Sequence, residues 1–99
     1  MKFKIPSRFD LGGLTITIKN VKKCTGDDQE DTEGLTIYTR SLIELAEDEN
    51  ATTQYKEQTF CHEWVHCMLD HIGYDDLDKD EVFVRRLSTA LYQSIKTME

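Results

Sequence analysis

The sequence predicts an α+β fold in which a short antiparallel or mixed β-sheet packs on one long helix, and that helix is followed by a C-terminal helix. Residues Leu14–Val21 alternate between apolar and polar side chains, which is typical of a half-buried strand. Apolar residues recur at helical spacing from about Thr53 to Ile72 and again from Val82 to about Thr97. Strands that precede helices in this order indicate an α+β domain.

The first half of the chain supplies the predicted strands. Phe3–Ile5 is a candidate short strand, and Leu14–Val21 follows it after a glycine turn. Gly34–Arg40 is rich in β-branched and aromatic residues and alternates, so it predicts a further strand. Ser41–Glu47 is predicted to be a short helix with Ser41 as its N-cap.

The segment from Thr25 to Glu33 contains no apolar residue and is strongly acidic. This composition predicts an exposed loop. A calcium site is the alternative, but the acidic residues do not have the spacing of an EF-hand loop.

The second half of the chain predicts a helical hairpin. Thr52 or Thr53 is a suitable N-cap for the long helix, and Gly73 is typical of the position just past a helix end. Asp78 is predicted to cap the last helix, with Glu81 three residues later in a capping-box arrangement. Two helices joined by a short turn pack antiparallel.

Composition limits the classes of partner and the cellular location. The 99 residues predict one domain over residues 1–99. With 19 acidic and 12 basic residues, the net charge is −7, so we expect no nucleic-acid partner. We expect no membrane partner either, because no apolar run approaches about 18 residues. The absence of a secretory signal pattern and the odd set of cysteines, Cys24, Cys61 and Cys67, predict a cytoplasmic location.

The segment His62-Glu63-Trp64-Val65-His66 is an HExxH motif inside the long predicted helix. Histidines at i and i+4 lie about 40° apart around a helix, so both imidazoles can reach one metal ion. Glu63 lies beside them, where a general base could take a proton from water. The motif is typical of zinc metallopeptidases, and it predicts a Zn²⁺ cofactor and a peptide or protein substrate.

The motif leaves the third ligand open, since a catalytic zinc site usually has three protein ligands. Glu81 lies on the apolar side of the last helix and could face the two histidines, although a capping role would turn it toward the helix start. His71 lies about 180° from His62 around the helix. Asp70, Asp75 and Asp76 are further candidates.

Several residues near the motif have simpler interpretations. Trp64 lies on the far side of the helix from the histidines, which predicts core packing. Cys61 and Cys67 also lie off the histidine face, which predicts small buried packing residues. Tyr74 is a candidate donor to a developing oxyanion, with a turn tyrosine as the alternative. The pair Arg85-Arg86 is expected to face solvent or to pair with acidic residues.

Two segments carry a resemblance to a known family. Gln58–Leu69 resembles the active-site helix of small zincin-like proteins encoded by phages and prophages, and Asp80–Gln93 is similar to the final helix of that family. In the family, an acidic pair precedes an apolar pair, then Arg-Leu and then Leu-Tyr-Gln. Ile5-Pro6 and the Gly34–Tyr38 segment also fit, so the resemblance covers nearly the whole chain.

The resemblance implies a zincin-like fold and a minimal gluzincin metallopeptidase acting in the cytoplasm of a host cell. It implies that Glu81 occupies the third-ligand position beside His62 and His66. Val82 stands where the family usually has a second acidic residue, so no neighbouring carboxylate assists Glu81.

Two functions follow from the same ligands. The first is zinc-dependent peptide hydrolysis, with the strand at residues 35–40 lying beside the motif helix and its edge holding an extended peptide. The alternative is a zinc-stabilised, non-catalytic protein-binding module, in which metal affinity acts as folding energy.

Overall fold

The computed structural model describes residues 3–24 and 33–98. It shows a four-stranded mixed sheet together with helices, which confirms the predicted α+β class. The predicted acidic loop lies outside the described residues except for Glu33. The strands are β1 (Arg8–Leu11), β2 (Leu14–Val21), β3 (Gly34–Ile37) and β4 (Leu42–Ala46), and the helices are α1 (Thr53–Ile72), α2 (Asp75–Asp78) and α3 (Glu81–Thr97).

The strands are arranged in the order β1-β2-β4-β3. β1 and β2 form an antiparallel hairpin, whose turn residues Gly12 and Gly13 have φ angles of 55° and 88° that favour glycine. β2 pairs with β4 in parallel, and β4 pairs with β3 antiparallel. The sheet is therefore mixed, which is one of the two predicted alternatives, and β3 forms one of its edges.

The prediction of a helix over Ser41–Glu47 is wrong, because Leu42–Ala46 forms the central strand β4. Leu42 to Leu45 are all buried, so β4 has a largely apolar sequence without alternation. Such a short run cannot be distinguished from a helical segment by periodicity. Ser41 is not an N-cap. It has a left-handed φ of 49° and ends a short 3₁₀ turn at Tyr38–Arg40.

Two other predicted strand limits also differ from the structure. Phe3–Ile5 is not part of the sheet, whose first strand begins only at Arg8. Phe3 instead packs on the core, with its ring 6.0 Å from that of Phe60. The strand predicted over residues 34–40 ends at Ile37, because the chain turns there into the 3₁₀ segment.

The main core lies between the sheet and α1. Its buried members are Ile16, Ile43, Leu45, Phe60, Cys61 and Cys67. Trp64 stacks on Phe60 with ring centroids 5.9 Å apart, so its predicted packing role is confirmed. Cys61 and Cys67 are buried and free, as predicted. Burial raises the pKa of each thiol to about 12, which keeps both protonated and unreactive.

The limits of α1 agree with the sequence. The Thr52 hydroxyl accepts a hydrogen bond from the Tyr55 backbone N–H at 3.1 Å, and Gly73 ends the helix with a φ of 81°. α3 begins differently from the prediction, since its N-cap is Asp80, whose carboxylate accepts from the Phe83 N–H at 3.1 Å. The predicted cap, Asp78, is the last residue of the short helix α2. The capping-box spacing to Glu81 favours Asp78, but Asp80 lies directly before the first helical residue and caps it.

α1 and α3 are joined by a buried polar contact as well as by apolar packing. Glu57 of α1 is only 4% exposed. Its carboxylate accepts hydrogen bonds from the Tyr92 hydroxyl at 2.5 Å and from the Lys96 ammonium at 3.0 Å. Burial alone would raise the pKa of Glu57, but these two hydrogen bonds and the lysine charge outweigh it and lower the pKa.

None of the helices in the described part of the chain has both the length and the apolar character that a bilayer crossing requires.

Candidate metal centre

The two motif histidines lie on one face of α1, as their spacing predicts. Their ring centroids are 5.0 Å apart. The Nε2 atom of His62 lies 3.1 Å from Glu81 Oε2, and the Nε2 atom of His66 lies 3.1 Å from Glu81 Oε1. One ligand atom from each of the three residues falls within 4.8 Å of the others. The structure thus brings together the three residues that the sequence predicted as ligands.

The donor set fits zinc. Two imidazole nitrogens and one carboxylate form the His₂Glu set of known catalytic zinc sites. The side chain of Glu81 is 58% exposed and that of His62 is 23% exposed, so the side of the site away from α1 is open to solvent. An open side is what a catalytic site needs for water or substrate.

Glu81 is more exposed than its predicted place on the apolar side of the last helix implies. The sequence placed it on the apolar side of the last helix with Val84, which is fully buried. Glu81 is instead the first residue of α3 and lies at the surface, where Asp80 starts the helix. The direction of its side chain was predicted correctly, but its burial was not. Val82, the next residue, is 55% exposed.

The other third-ligand candidates lie elsewhere. The ring of His71 packs on the β1–β2 turn, where a Cβ atom on Gly12 would come within 1.9 Å of it. Asp70 and His71 line a separate cavity of about 250 Å³. Asp75 and Asp76 are exposed residues of α2. Within residues 3–24 and 33–98, the group formed by the two motif histidines and Glu81 is the one found with three converging ligands.

The three residues open onto a cleft of about 490 Å³ between β3 and the helices. One wall is formed by β3 and the residue that follows it, and the other by α1 and the start of α3. The lining residues are Gly34, Leu35, Thr36, Tyr38, His62, Glu63, His66 and Glu81. Tyr74, the candidate oxyanion donor, is 57% exposed at the start of α2 and is not among them.

Close contact between β3 and α1 requires glycine at position 34. A Cβ atom there would lie 2.8 Å from Thr59 Cγ2 and 3.1 Å from the side chain of Glu63. Because the first of these distances is shorter than real Cβ contacts, any larger residue would push β3 away from the helix. Gly34 therefore sets the width of the cleft beside Glu63.

Glu63 is held at the bottom of this cleft. It is 7% exposed, and the Thr36 hydroxyl donates a hydrogen bond to its Oε1 at 2.9 Å. Burial raises the pKa of Glu63, and the hydrogen bond from Thr36 and the nearby histidines only partly offset this effect. A carboxylate with a raised pKa is a stronger base, which suits proton transfer near neutral pH.

One contact at the site was missed by sequence reasoning. Asp78 Oδ1 lies 2.6 Å from His66 Nδ1, and the Tyr38 hydroxyl donates to Asp78 Oδ2 at 2.9 Å. Burial and the neighbouring Asp78 carboxylate raise the pKa of Tyr38 well above its ordinary value, so its hydroxyl stays protonated. A carboxylate partner is usual for a ligating histidine, so the acidic residues between the helices were a usable signal.

The comparisons with protein-family models, with curated proteins and with solved structures find no match for this chain. The resemblance to the zincin-like proteins of phages and prophages therefore stays a prediction, which rests on the residues quoted for it.

Proposed function

We propose that this protein is a zinc-dependent metallopeptidase with a minimal gluzincin-like, zincin-like architecture. His62, His66 and Glu81 are the proposed ligands, and Glu63 is the proposed general base. The observation that carries the proposal is the position of Glu63. It is a buried carboxylate with a raised pKa, next to two converging histidines, in a cleft that is open to solvent.

Each residue of the chain has a separate task in this proposal. The Nε2 atoms of His62 and His66 and a carboxylate oxygen of Glu81 would hold the metal. When bound, Zn²⁺ supplies a Lewis acid that polarises a carbonyl and lowers the pKa of a coordinated water. Glu63 takes a proton from water during attack and returns it to the leaving amine. Thr36 keeps the Glu63 carboxylate turned toward the cleft.

The sheet edge supports a peptide as the substrate class. Among the described strands β3 pairs with β4 alone, and it forms the wall of the cleft opposite the histidines. An edge strand presents unpaired backbone N–H and C=O groups, which can pair with an extended peptide. Such pairing would lay the peptide backbone along the cleft, beside Glu63.

The binding module remains the second candidate, and one observation favours it. The metal ligands come from two helices, since His62 and His66 lie on α1 and Glu81 begins α3. A bound metal would therefore join these helices and contribute to folding free energy. This function, however, provides no reason for a buried, uncoordinated carboxylate at Glu63.

The test uses tag-free protein, zinc analysis and a mixed peptide library read by mass spectrometry. We expect about one zinc per chain, cleavage by the parent, and no cleavage by Glu63→Gln with its zinc content unchanged. Glu49→Gln is the matched control, because Glu49 is exposed and lies outside the cleft. If the zinc-loaded parent cleaves nothing, the binding module replaces the peptidase.

A further inference from the structure

Asp78 contacts His66 through Nδ1, the ring nitrogen that does not face Glu81. The Asp78 carboxylate can only accept in this contact, so the proton between the two groups belongs to His66 Nδ1. In the neutral imidazole that a metal requires, this leaves the lone pair on Nε2, the atom that would share the proposed metal with the facing Glu81 carboxylate. The two side chains are only 11% and 12% exposed, so water competes little for this hydrogen bond.

Asp78 is itself fixed by a second contact. It lies at the end of α2, which has only four residues. The Tyr38 hydroxyl contacts both of its carboxylate oxygens, at 2.9 and 3.1 Å. Tyr38 begins the 3₁₀ turn directly after β3. The hydrogen-bonded chain from Tyr38 through Asp78 to His66 thus connects the edge strand with α2 and α1.

The two proposed ligands on α1 differ in this support. Among the described residues, the hydrogen bond to His62 runs through its Nε2, toward Glu81, and none reaches its Nδ1. His62 is also more exposed, at 23% against 11% for His66. The orientation of His66 is therefore set by the protein, whereas that of His62 depends more on the metal.

We propose that Asp78 is a positioning residue that orients His66 for metal binding, and that Tyr38 orients Asp78. The inference rests on the proposed metal site, but not on peptidase activity. A carboxylate behind a ligating histidine fixes its tautomer and makes the coordinating nitrogen more basic. Asp78 therefore contributes to zinc affinity without touching the metal.

The experiment measures Zn²⁺ affinity by competition with a chelator. We expect Asp78→Ala to weaken zinc binding by about 10- to 100-fold, as the loss of such outer partners does. Asp78→Asn should restore part of the affinity, because its amide oxygen can still accept from Nδ1–H. Tyr38→Phe removes one hydroxyl and should weaken binding by less than Asp78→Ala. If Asp78→Ala does not fold, the zinc affinity of Tyr38→Phe tests the proposal in its place.

Asp76→Ala is the matched control, because it removes an exposed aspartate of the same short helix α2 that does not line the cleft. It should keep the parent affinity for zinc. If Asp78→Ala binds zinc as tightly as Asp76→Ala, Asp78 has only a structural role and the proposal is overturned.

A second readout follows the proton itself. In ¹⁵N-labelled, zinc-loaded protein, NMR should show a slowly exchanging His66 Nδ1–H that disappears in Asp78→Ala and shifts in Tyr38→Phe. An unchanged signal in both variants would overturn the proposal. A parent that binds zinc but cleaves no peptide would refute only the peptidase, whereas a parent that binds no zinc would refute both.

Discussion

Helix α1 carries two buried glutamates, Glu57 and Glu63, whose pKa values are displaced in opposite directions. Both are less than a tenth exposed, at 4% and 7%. Glu57 accepts hydrogen bonds from Tyr92 and from the Lys96 ammonium, and its pKa is lowered. Glu63 accepts a hydrogen bond from the Thr36 hydroxyl, and its pKa is raised.

The comparison shows that burial alone does not decide what a buried carboxylate does. Beside a cation and a phenol, the charged form of Glu57 is stabilised and the residue holds two helices together. Since no described lysine or arginine pairs with Glu63, its charged form is costly, which makes it a better proton acceptor. One helix thus carries a structural and a candidate catalytic glutamate less than two turns apart.

The largest expected effect is on peptide cleavage, and it distinguishes Glu63 from Glu57. Glu63→Gln should reduce peptide cleavage by about 10²- to 10⁴-fold, the usual contribution of a general base. It should not lower the free energy of unfolding by more than about 1 kcal/mol, because a neutral amide replaces a desolvated carboxylate. Glu57→Gln should retain the parent rate per folded molecule. Equal losses of activity in the two variants would contradict the division of roles.

The second prediction concerns stability. Glu57→Gln should lower the free energy of unfolding by about 1–3 kcal/mol, because it removes the charge from a buried, hydrogen-bonded pair. Urea unfolding at pH 7, followed by circular dichroism, measures this change. Glu47→Gln is the control, because Glu47 is exposed, and its effect should stay within about 0.5 kcal/mol. A Glu57→Gln variant as stable as the parent would show that Glu57 does not join the helices.

The lowered pKa of Glu57 predicts that the free energy of unfolding depends on pH. Because the pKa of Glu57 is lowered in the folded protein, its contribution to stability is fully present above the ordinary glutamate value of 4.5. It is lost as the pH falls from there through the lowered pKa, since the unfolded chain takes up the proton first. Unfolding free energies measured between pH 6 and pH 3 should therefore converge for the parent and Glu57→Gln. A constant difference over this range would contradict the lowered pKa.

The spacing of residues in the sequence predicts those features that depend on the geometry of α1 alone. The convergence of His62 and His66 follows from helical geometry alone, and so does the core position of Trp64. The sequence position of Glu57 indicates burial in the same way. It precedes Phe60 and Cys61 by three and four residues, which places it on the buried stripe.

The parts that were missed depend on contacts between distant segments. The segment Ser41–Glu47 favours a helix because a short, buried strand lacks alternation, and the parallel pairing of β4 with β2 has no local signature. The capping-box spacing to Glu81 favours Asp78 as the cap of α3, a position that Asp80 occupies. Asp78 instead contacts Tyr38 and His66, which lie 40 and 12 residues away. Only the packed fold brings them together.

A smaller effect is expected from changing the surroundings of Glu63. Gly34→Ala should cost about 1–3 kcal/mol of stability, because the added Cβ collides with Thr59 Cγ2 and pushes β3 away. Adding Thr59→Ser removes that methyl group and should restore part of the loss, while its hydroxyl can still donate to the Tyr55 carbonyl. Thermal unfolding of the single and double variants checks this coupling. Simple additivity of the two changes would contradict a direct contact.

The smallest expected effect concerns the hydrogen bond that Thr36 donates to Glu63. Thr36→Val keeps the shape of the side chain but removes the hydroxyl that donates to Glu63 Oε1. The pKa of Glu63 should rise further, because that hydrogen bond lowers it. We expect peptide cleavage to fall by less than about tenfold, since losing one hydrogen bond to a charged group costs about 1 kcal/mol or slightly more.

Thr36→Ser is the matched control, because it retains the hydroxyl and loses only a methyl group. Cleavage rates of the parent and both variants, measured across the acid range, show whether the acid side of the pH profile moves upward in Thr36→Val alone. A profile that moves equally in Thr36→Ser would assign the effect to packing. In that case the raised pKa of Glu63 would depend on burial beneath β3, and the hydroxyl would serve only to hold the strand against the helix.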